Sequence, residues 1–127
     1  MTIDRITIYT ADIEKLSDFY ENYFYAIRGD DSADEHTGTL SVYLKFDGDA
    51  VLELVEVKGS GGGARAEQRI GRGSFCIAAG SRKSVDSVSA RVFREGYRVV
   101  EVPHATGSGS YEGLIEDPDG NLVRVTG

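Results

Sequence analysis

Apolar residues in the first half of the chain are spaced first as in a strand and then as in a helix. In RITIYT (5–10), Ile6 and Ile8 alternate with polar residues and a tyrosine, which predicts a strand with two different faces. A helix is predicted next, with Thr10 or Asp12 as its N-cap. Its apolar residues recur at helical spacing on one face: Ile13, Leu16, Phe19, Tyr20, Tyr23 and Phe24.

Polar and apolar runs then alternate up to residue 57. The stretch RGDDSADEHTG (28–38) is predicted to be a loop or an irregular sheet edge, and its acidic residues and Glu56 to be solvated surface. SVYLKF (41–46) and AVLELVEV (50–57) flank an Asp-Gly-Asp turn and predict a β-hairpin.

A glycine-rich segment separates the two halves of the chain. KGSGGGARAEQR (58–69) has few side chains that could pack, which predicts a flexible connector. It lacks the Lys and Ser/Thr that close a phosphate-binding loop, so we do not assign a nucleotide site to it.

The second half repeats the order of the first. A strand, SFCIAAG (74–80), precedes a helix that Ser81 or Ser84 would cap and Gly96 would end. The helix carries four apolar residues: Val85, Val88, Val92 and Phe93. Three strands are predicted after it: YRVVEV (97–102), YEGLIE (111–116) and NLVRVT (121–126). Each half is therefore strand, helix and about three strands, an internal repeat of roughly 55 residues.

Aligning the two halves brings four polar positions into equivalence. Arg5 falls opposite Ser74, and Glu53 falls opposite Arg124. The spacings agree, because Glu53 follows Arg5 by 48 residues and Arg124 follows Ser74 by 50. Arg124 lies in an otherwise apolar strand, where an unpaired charge would cost several kcal/mol. If the halves pack about a pseudo-two-fold axis, the four side chains converge and Arg124 faces Glu53.

Charge and composition limit the classes of binding partner and the cellular compartment that we expect. The formal net charge of −7 argues against nucleic acid and anionic membranes. The single cysteine, Cys76, excludes an internal disulfide and fits a reducing compartment. The N-terminus has no signal-peptide pattern and no apolar run is as long as a membrane span, so we expect a cytoplasmic protein.

Four segments resemble the vicinal oxygen chelate superfamily, which includes glyoxalase I, extradiol dioxygenases, and bleomycin- and fosfomycin-resistance proteins. They are ITIYTADIEKLSDFYENYF (6–24), LEL (52–54), residues 71–77 and DPDGNLVRV (117–125). The resemblance implies an α+β fold in which two paired βαβββ modules form a curled sheet around a central cavity, usually in a homodimer. The modules would span residues 1–57 and 73–127 of a single glyoxalase-like domain, joined by a connector at 58–72.

In metal-using members of this family the four converging positions are ligands, commonly His or Glu. They fall here on Arg5, Glu53, Ser74 and Arg124, and only Glu53 matches. Arginine stays protonated and cannot be a ligand. Each guanidinium would also repel a divalent ion by about 8 kcal/mol at ~4 Å and an effective dielectric constant near 20. We therefore expect no metal and no other cofactor.

Two interpretations of the arginines remain open. Arg5 and Arg124 outweigh Glu53 in charge, which favours a site for a carboxylate or phosphate. Alternatively, the three side chains form a structural ion-pair cluster that fills the former metal cavity. The predicted function is a glyoxalase- or bleomycin-resistance-like protein that binds a small molecule, for which the charge surplus favours an anion, in a metal-free cavity.

The alternative function is a glyoxalase-type lyase or isomerase, similar to lactoylglutathione lyase, with Glu53 as base or metal ligand. Neighbouring arginines count against a strong base, because cations stabilise the ionised carboxylate.

Other residues are weaker candidates. Tyr9 and Cys76 share strand faces with Arg5 and Ser74, so they either line the cavity or pack in the core. Tyr111, with Glu112, ends a Gly/Ser loop that could act as a lid, and is a candidate rim contact.

Three glutamates are considered as a substitute metal site, and two histidines are assigned to the surface. Strand alternation is not expected to bring Glu101, Glu112 and Glu116 together. His36 and His104 are predicted to lie in polar surface loops.

Overall fold

The computed structural model describes residues 1–34, 39–57 and 67–127. The chain divides into two compact units, Met1–Arg72 and Gly73–Gly127, here called unit 1 and unit 2. Neither helix of the described chain combines the length and the apolar content needed to cross a bilayer.

Unit 1 is a four-stranded sheet with one helix. Its elements are β1 (Arg5–Thr10), α1 (Ile13–Phe24), β2 (Ile27–Asp34), β3 (Thr39–Lys45) and β4 (Val51–Glu56). The strand order is β1-β4-β3-β2; β1 runs parallel to β4, and the other pairs are antiparallel.

Unit 2 has the same topology. Its elements are β5 (Ser74–Ala78), α2 (Arg82–Arg94), β6 (Val99–Ala105), β7 (Tyr111–Glu116) and β8 (Leu122–Thr126). The strand order is β5-β8-β7-β6, again with one parallel pair, β5 with β8. The predicted pair of βαβββ modules is confirmed.

One face of each sheet is buried beneath its helix. In unit 1 the buried strand residues alternate along the chain: Ile8, Val42, Leu44, Leu52 and Leu54. In unit 2 the corresponding residues are Ile115, Val123 and Val125, which are buried together with Val85, Val88 and Val92 of α2. The opposite face, here called the free face, carries most of the polar side chains, because successive strand residues point to opposite sides.

Each helix begins at a residue that the sequence had marked. Asp12 caps α1, its Oδ1 accepting from the Lys15 amide at 3.1 Å. Ser81 caps α2 in the same way, accepting from the Ser84 amide at 3.1 Å. Gly96 follows α2 with φ of 94°, a conformation that favours glycine.

The polar stretch after α1 is an irregular edge rather than a loop. Residues 27–34 form β2, the outer strand of the unit 1 sheet, with a register shift between Arg28 and Asp31. Residues 35–38, which include His36, lie outside the described residues.

The prediction that Glu56 is solvated surface is wrong. Its side chain lies on the α1 side of the sheet and is only 7% exposed. Glu56 Oε2 accepts a hydrogen bond from the Ile13 amide at 3.0 Å, at the N-terminus of α1. A carboxylate is favoured there because the first helical N–H groups lack partners within the helix.

Two further assignments need correction. The last part of the predicted connector forms hydrogen-bonded turns, with the Ile70 amide donating to Glu67 O at 3.2 Å and the Arg72 amide to Arg69 O at 3.1 Å; residues 58–66 lie outside the described part of the chain. His104 lies in β6 and not in a loop, because pairing with β7 continues to Ala105.

Candidate functional site

A polar row crosses the free face of unit 1. Glu53 of β4 pairs with Thr7 of β1 on one side and with Tyr43 of β3 on the other. Thr7 Oγ1 donates to Glu53 Oε1 at 2.7 Å, and the Glu53 side chain is 13% exposed. The carboxylate is thus fixed in position but accessible from one side.

Arg5 lies beside this row. Its Nη1 donates to the Tyr43 hydroxyl at 3.3 Å, and its Nε lies 3.9 Å from Glu53 Oε1. The guanidinium carbon is 5.8 Å from the centre of the Tyr43 ring, within cation–π range. Because the side chain is 49% exposed and its contacts are long, Arg5 keeps much of its donor capacity for another acceptor.

A second arginine on this side of unit 1 was missed by the sequence analysis. Arg69 Nη1 donates to the Tyr9 hydroxyl at 3.4 Å, and the guanidinium carbon lies 5.6 Å from the centre of that ring. Arg69 falls in the segment interpreted as a connector, and no periodic pattern marks it. With Arg5, Arg69 and Glu53, this region carries one net positive charge.

Arg124, on the free face of unit 2, is held by two carboxylates. Its Nη1 donates to Glu112 Oε2 at 2.7 Å, and its Nη2 donates to Glu101 Oε2 at 3.1 Å. The hydrogen bond to Glu112, and then that to Glu101, raises the pKa of Arg124 above its usual value. The cluster of these three side chains has one net negative charge, so the charge surplus assigned in part to Arg124 is absent from it.

The expectation that alternation keeps Glu101 and Glu112 apart is wrong. The pairing of β6 with β7 shifts register on either side of Glu101, between Val99 and Glu101 and again before His104. Each shift resets the alternation of side chains, and the result places Glu101 near Arg124. Glu116 pairs elsewhere, with Arg98 at 3.2 Å.

The other candidates of unit 2 are divided between the two faces. Cys76 pairs in register with Arg124, and Ser74 with Leu122, and both are exposed. Tyr111 is directed to α2 instead: its hydroxyl donates to Asp86 Oδ1 at 2.5 Å, which raises the pKa of the phenol. The structure therefore does not bring Tyr111 together with Arg124.

The residues present do not fit the metal that the family resemblance implies. Within the described ranges, no group of three or more His, Cys, Asp or Glu side chains is arranged to hold a metal ion. Glu53 already accepts from Thr7 and lies near the Arg5 guanidinium, a cation that opposes a divalent ion. At the equivalent position of unit 2, Arg124 has no lone pair to donate.

Three solved structures illustrate what the chain is similar to. Glyoxalase I from Zea mays is 16% identical with a TM-score of 0.76, over 98% of this chain but only 43% of that one. The antibiotic binding protein TnmS3 from Streptomyces sp. CB03234 is 22% identical with a TM-score of 0.73, over 99% and 94% of the two chains. Lactoylglutathione lyase from Agrobacterium tumefaciens is 25% identical with a TM-score of 0.68, over 98% and 92%.

The family assignment rests on a match along nearly the whole sequence. No curated protein matches the chain. The chain spans less than half of the length of the maize glyoxalase I, so that similarity extends to only part of the maize enzyme. The model of the Glyoxalase/Bleomycin resistance protein/Dioxygenase superfamily matches residues 2–125. The chain belongs to the Glyoxalase/Bleomycin resistance protein/Dioxygenase superfamily.

Proposed function

We propose that the chain binds a small molecule with a carboxylate or phosphate group on the free face of unit 1, without a metal ion. The observation that carries the proposal is that Arg5 is exposed and only loosely paired. Its side chain is half exposed, its ion pair with Glu53 is 3.9 Å long, and Tyr43 supplies an aromatic surface beside it. A guanidinium in this state can bind an anion with two parallel hydrogen bonds.

Neighbouring side chains would complete the site. Tyr9 and Tyr43 offer apolar ring surface, and Arg69 adds a second positive charge. Thr7 and Glu53 supply polar groups in fixed positions that could orient a ligand. Small-molecule sites typically combine apolar area with a few such polar groups.

Unit 2 is assigned a different role. Arg124, Glu101 and Glu112 satisfy one another, so we propose that this cluster stabilises the sheet and does not capture an anion. That Ser74 and Cys76 contact a ligand stays a prediction; both are exposed in β5 of unit 2.

Relatives of both functional kinds share the fold. TnmS3 is an antibiotic binding protein, and the Agrobacterium tumefaciens neighbour is a lactoylglutathione lyase. The binding function is preferred because the Glu53 carboxylate, which would have to act as base, already accepts from Thr7 and lies 3.9 Å from Arg5.

A thermal-shift screen of small carboxylates and phosphates tests the binding function. A bound compound at 100 times its Kd should stabilise the native state by about 2.7 kcal/mol, because it binds the folded protein only. Arg5→Ala should abolish that stabilisation, whereas Arg98→Ala, an exposed arginine of unit 2, should retain it. Absence of any stabilising compound, or an unchanged shift in Arg5→Ala, would contradict the proposal.

A turnover assay separates the alternative function. If the protein is a glyoxalase-type lyase or isomerase, it should convert a hemithioacetal of an α-ketoaldehyde, and Glu53→Gln should lose that activity while remaining folded. On the binding proposal, neither wild type nor variant shows turnover.

Two further proposals concern the protein as a whole. We propose a homodimer, as the family resemblance implies, which sedimentation equilibrium would test by the mass in solution. We also propose a cytoplasmic location, on the ground of the single cysteine and the acidic composition.

A further inference from the structure

We propose that unit 2 contains a separate binding site, for a small neutral aromatic molecule with one hydrogen-bond donor, in the groove between α2 and the edge strand β6. The groove has a volume of about 360 Å³. Small-molecule pockets typically measure roughly 300–1,000 Å³. Seven residues line it: Asp86, Ser89, Ala90, Phe93, Val99, Val102 and Pro103. This inference does not rest on the function proposed for unit 1.

The groove walls expose apolar side chains to solvent. Phe93 of α2 is 70% exposed and Val102 of β6 is 72% exposed. The register shifts of β6 explain why Val99 and Val102, three residues apart, both line the groove. An aromatic ligand between these side chains would remove apolar surface from water.

Ser89 supplies the polar feature that points to a ligand. The residue is 4% exposed, and among the residues that the structure describes its Oγ has no hydrogen-bond partner. A buried hydroxyl without a partner is unfavourable, because it has lost its bonds to water. Ser89 is one of the lining residues, so a ligand N–H or O–H that reaches its Oγ would provide the missing partner.

Gly113 keeps space open next to that hydroxyl. A Cβ at this position would lie 3.2 Å from Ser89 Oγ and 3.5 Å from Pro103 Cγ. The first distance is shorter than most Cβ contacts in proteins, whereas the second is an ordinary van der Waals contact. Gly113 is not among the glycines with positive φ, so backbone conformation does not require glycine here. Because Gly113 has no side chain, the space between Ser89 of α2 and Pro103 of β6 stays open.

The groove is lined mainly by apolar side chains, which favour an uncharged ligand over one whose charge would lose its water. Asp86 is among the lining residues, and its carboxylate accepts from the Tyr111 hydroxyl at 2.5 Å. A ligand carboxylate or phosphate would be repelled by Asp86 at short range. The ligand class thus differs from the anion proposed for unit 1.

The test uses 1-naphthol and 1-methoxynaphthalene as matched probes, followed by amide chemical shifts in ¹⁵N-labelled full-length protein. Both probes fill the groove, but only naphthol can donate to Ser89. We expect saturable shifts at Ser89, Phe93 and Val102, with naphthol bound roughly three- to tenfold more tightly. Shifts confined to residues outside the groove, such as those around Arg5, would overturn the proposal.

Three variants make the test specific. Ser89→Ala should reduce the preference for naphthol to about one, because the acceptor is lost. Ala90→Leu, on the exposed side of α2, should fill the groove and weaken both probes at least tenfold while the helix is retained. Ser87→Leu, an equally exposed position of α2 that does not line the groove, should bind as wild type does.

Unchanged binding by Ala90→Leu, or an unchanged naphthol preference in Ser89→Ala, would refute the site. Thermal melts of all three variants confirm that each is folded before its binding is compared.

Discussion

Burial and partners give residues of one type different roles in this chain, and the arginines show it at the residue scale. Arg5 is half exposed and has long contacts, whereas Arg124 is paired with two carboxylates, one of them only 16% exposed. An arginine with loose contacts can bind a ligand anion. One that neutralises a partly buried carboxylate contributes to stability instead.

Truncation of Arg124 should therefore destabilise the fold without affecting ligand binding. Arg124→Ala leaves Glu112 without its partner, and we expect a loss of about 1–2 kcal/mol in the free energy of unfolding, measured by urea titration. Arg98→Ala is the matched control, since its pair with Glu116 is 69% exposed on the arginine side and should be worth less than about 0.5 kcal/mol. Equal losses in both variants would show that the Arg124 cluster is not structural.

A buried polar network closes the turn between β7 and β8. Asn121, which is fully buried, accepts from the Gly73 amide at 2.6 Å and donates to Asp117 Oδ2 at 2.7 Å. Asp117 Oδ1 accepts from the Asp119 and Asn121 amides at 3.0 and 2.9 Å. The turn motif thus also holds the residue that precedes β5.

Loss of the Asn121 side chain should be costly. Asn121→Ala leaves the Gly73 amide and the Asp117 carboxylate without these partners, so we expect about 2–4 kcal/mol lower stability by urea titration. Gln68→Ala removes a side-chain amide from an exposed turn position and should change stability by less than about 0.5 kcal/mol. A small effect at Asn121 would mean that water replaces the network.

At the scale of elements, the outer strand of each sheet is where the regular strand pairing is interrupted. β2 and β6 are both outer strands with register shifts. The shifts interrupt strict alternation, which limits edge-to-edge pairing and redirects side chains. In β6 this redirection produces both the Glu101 contact and the groove against α2.

Arg28 links β2 to α1 through an ion pair with Glu14. Its Nη1 and Nη2 donate to the two Glu14 oxygens at 2.7 and 2.9 Å, and Nη2 also reaches Asp31 Oδ1 at 3.1 Å. The hydrogen bond from Arg28 is the largest cause that lowers the pKa of Glu14. A lowered folded-state pKa adds stability above the unfolded value, about 4.3 for glutamate, and that stability is lost as the pH falls through the folded value.

The stability advantage of wild type over Arg28→Gln should consequently be present at neutral pH and shrink below about pH 4.3. Denaturant titrations of both proteins between neutral and acidic pH would measure it. Arg94→Gln, an exposed position of α2, should show a difference from wild type that does not vary over the same range. A constant difference for Arg28→Gln would show that Glu14 is not coupled to it.

At the scale of the whole molecule, one topology carries two charged clusters of opposite net sign, one in each unit. The residues described for unit 1 leave a net positive charge around Arg5 and Arg69, and the cluster of Arg124, Glu101 and Glu112 in unit 2 is negative. The repeated topology therefore does not imply repeated chemistry.

Metal analysis tests the chain as a whole. Protein purified without chelator or affinity tag, then dialysed against nickel, zinc and manganese, should contain well below one divalent ion per chain, because arginines replace donor residues. Elemental analysis provides the value, and Glu53→Gln controls for weak binding through the one matching carboxylate. A stoichiometric ion in wild type that is lost in Glu53→Gln would contradict a metal-free site and favour glyoxalase-type chemistry.

The sequence by itself determined the order of the elements and most of the buried apolar residues, and it narrowed each helix cap to two candidates, of which Asp12 and Ser81 are the caps. Periodicity of two or 3.6 residues follows from local backbone geometry, so Ile13 and Leu16 or Val123 and Val125 reveal their faces without tertiary information. Arg5 and Glu53, the residues of the candidate site on β1 and β4, were found by aligning the two halves of the chain.

Only the tertiary structure decided which charges meet. Arg69 lies beside Tyr9, 60 positions earlier, and Glu56 reaches the amide of Ile13, 43 positions earlier. Glu101 meets Arg124 because β6 shifts its register twice. Such contacts depend on how strands are paired and where a bulge resets alternation, and local patterns carry no information on either.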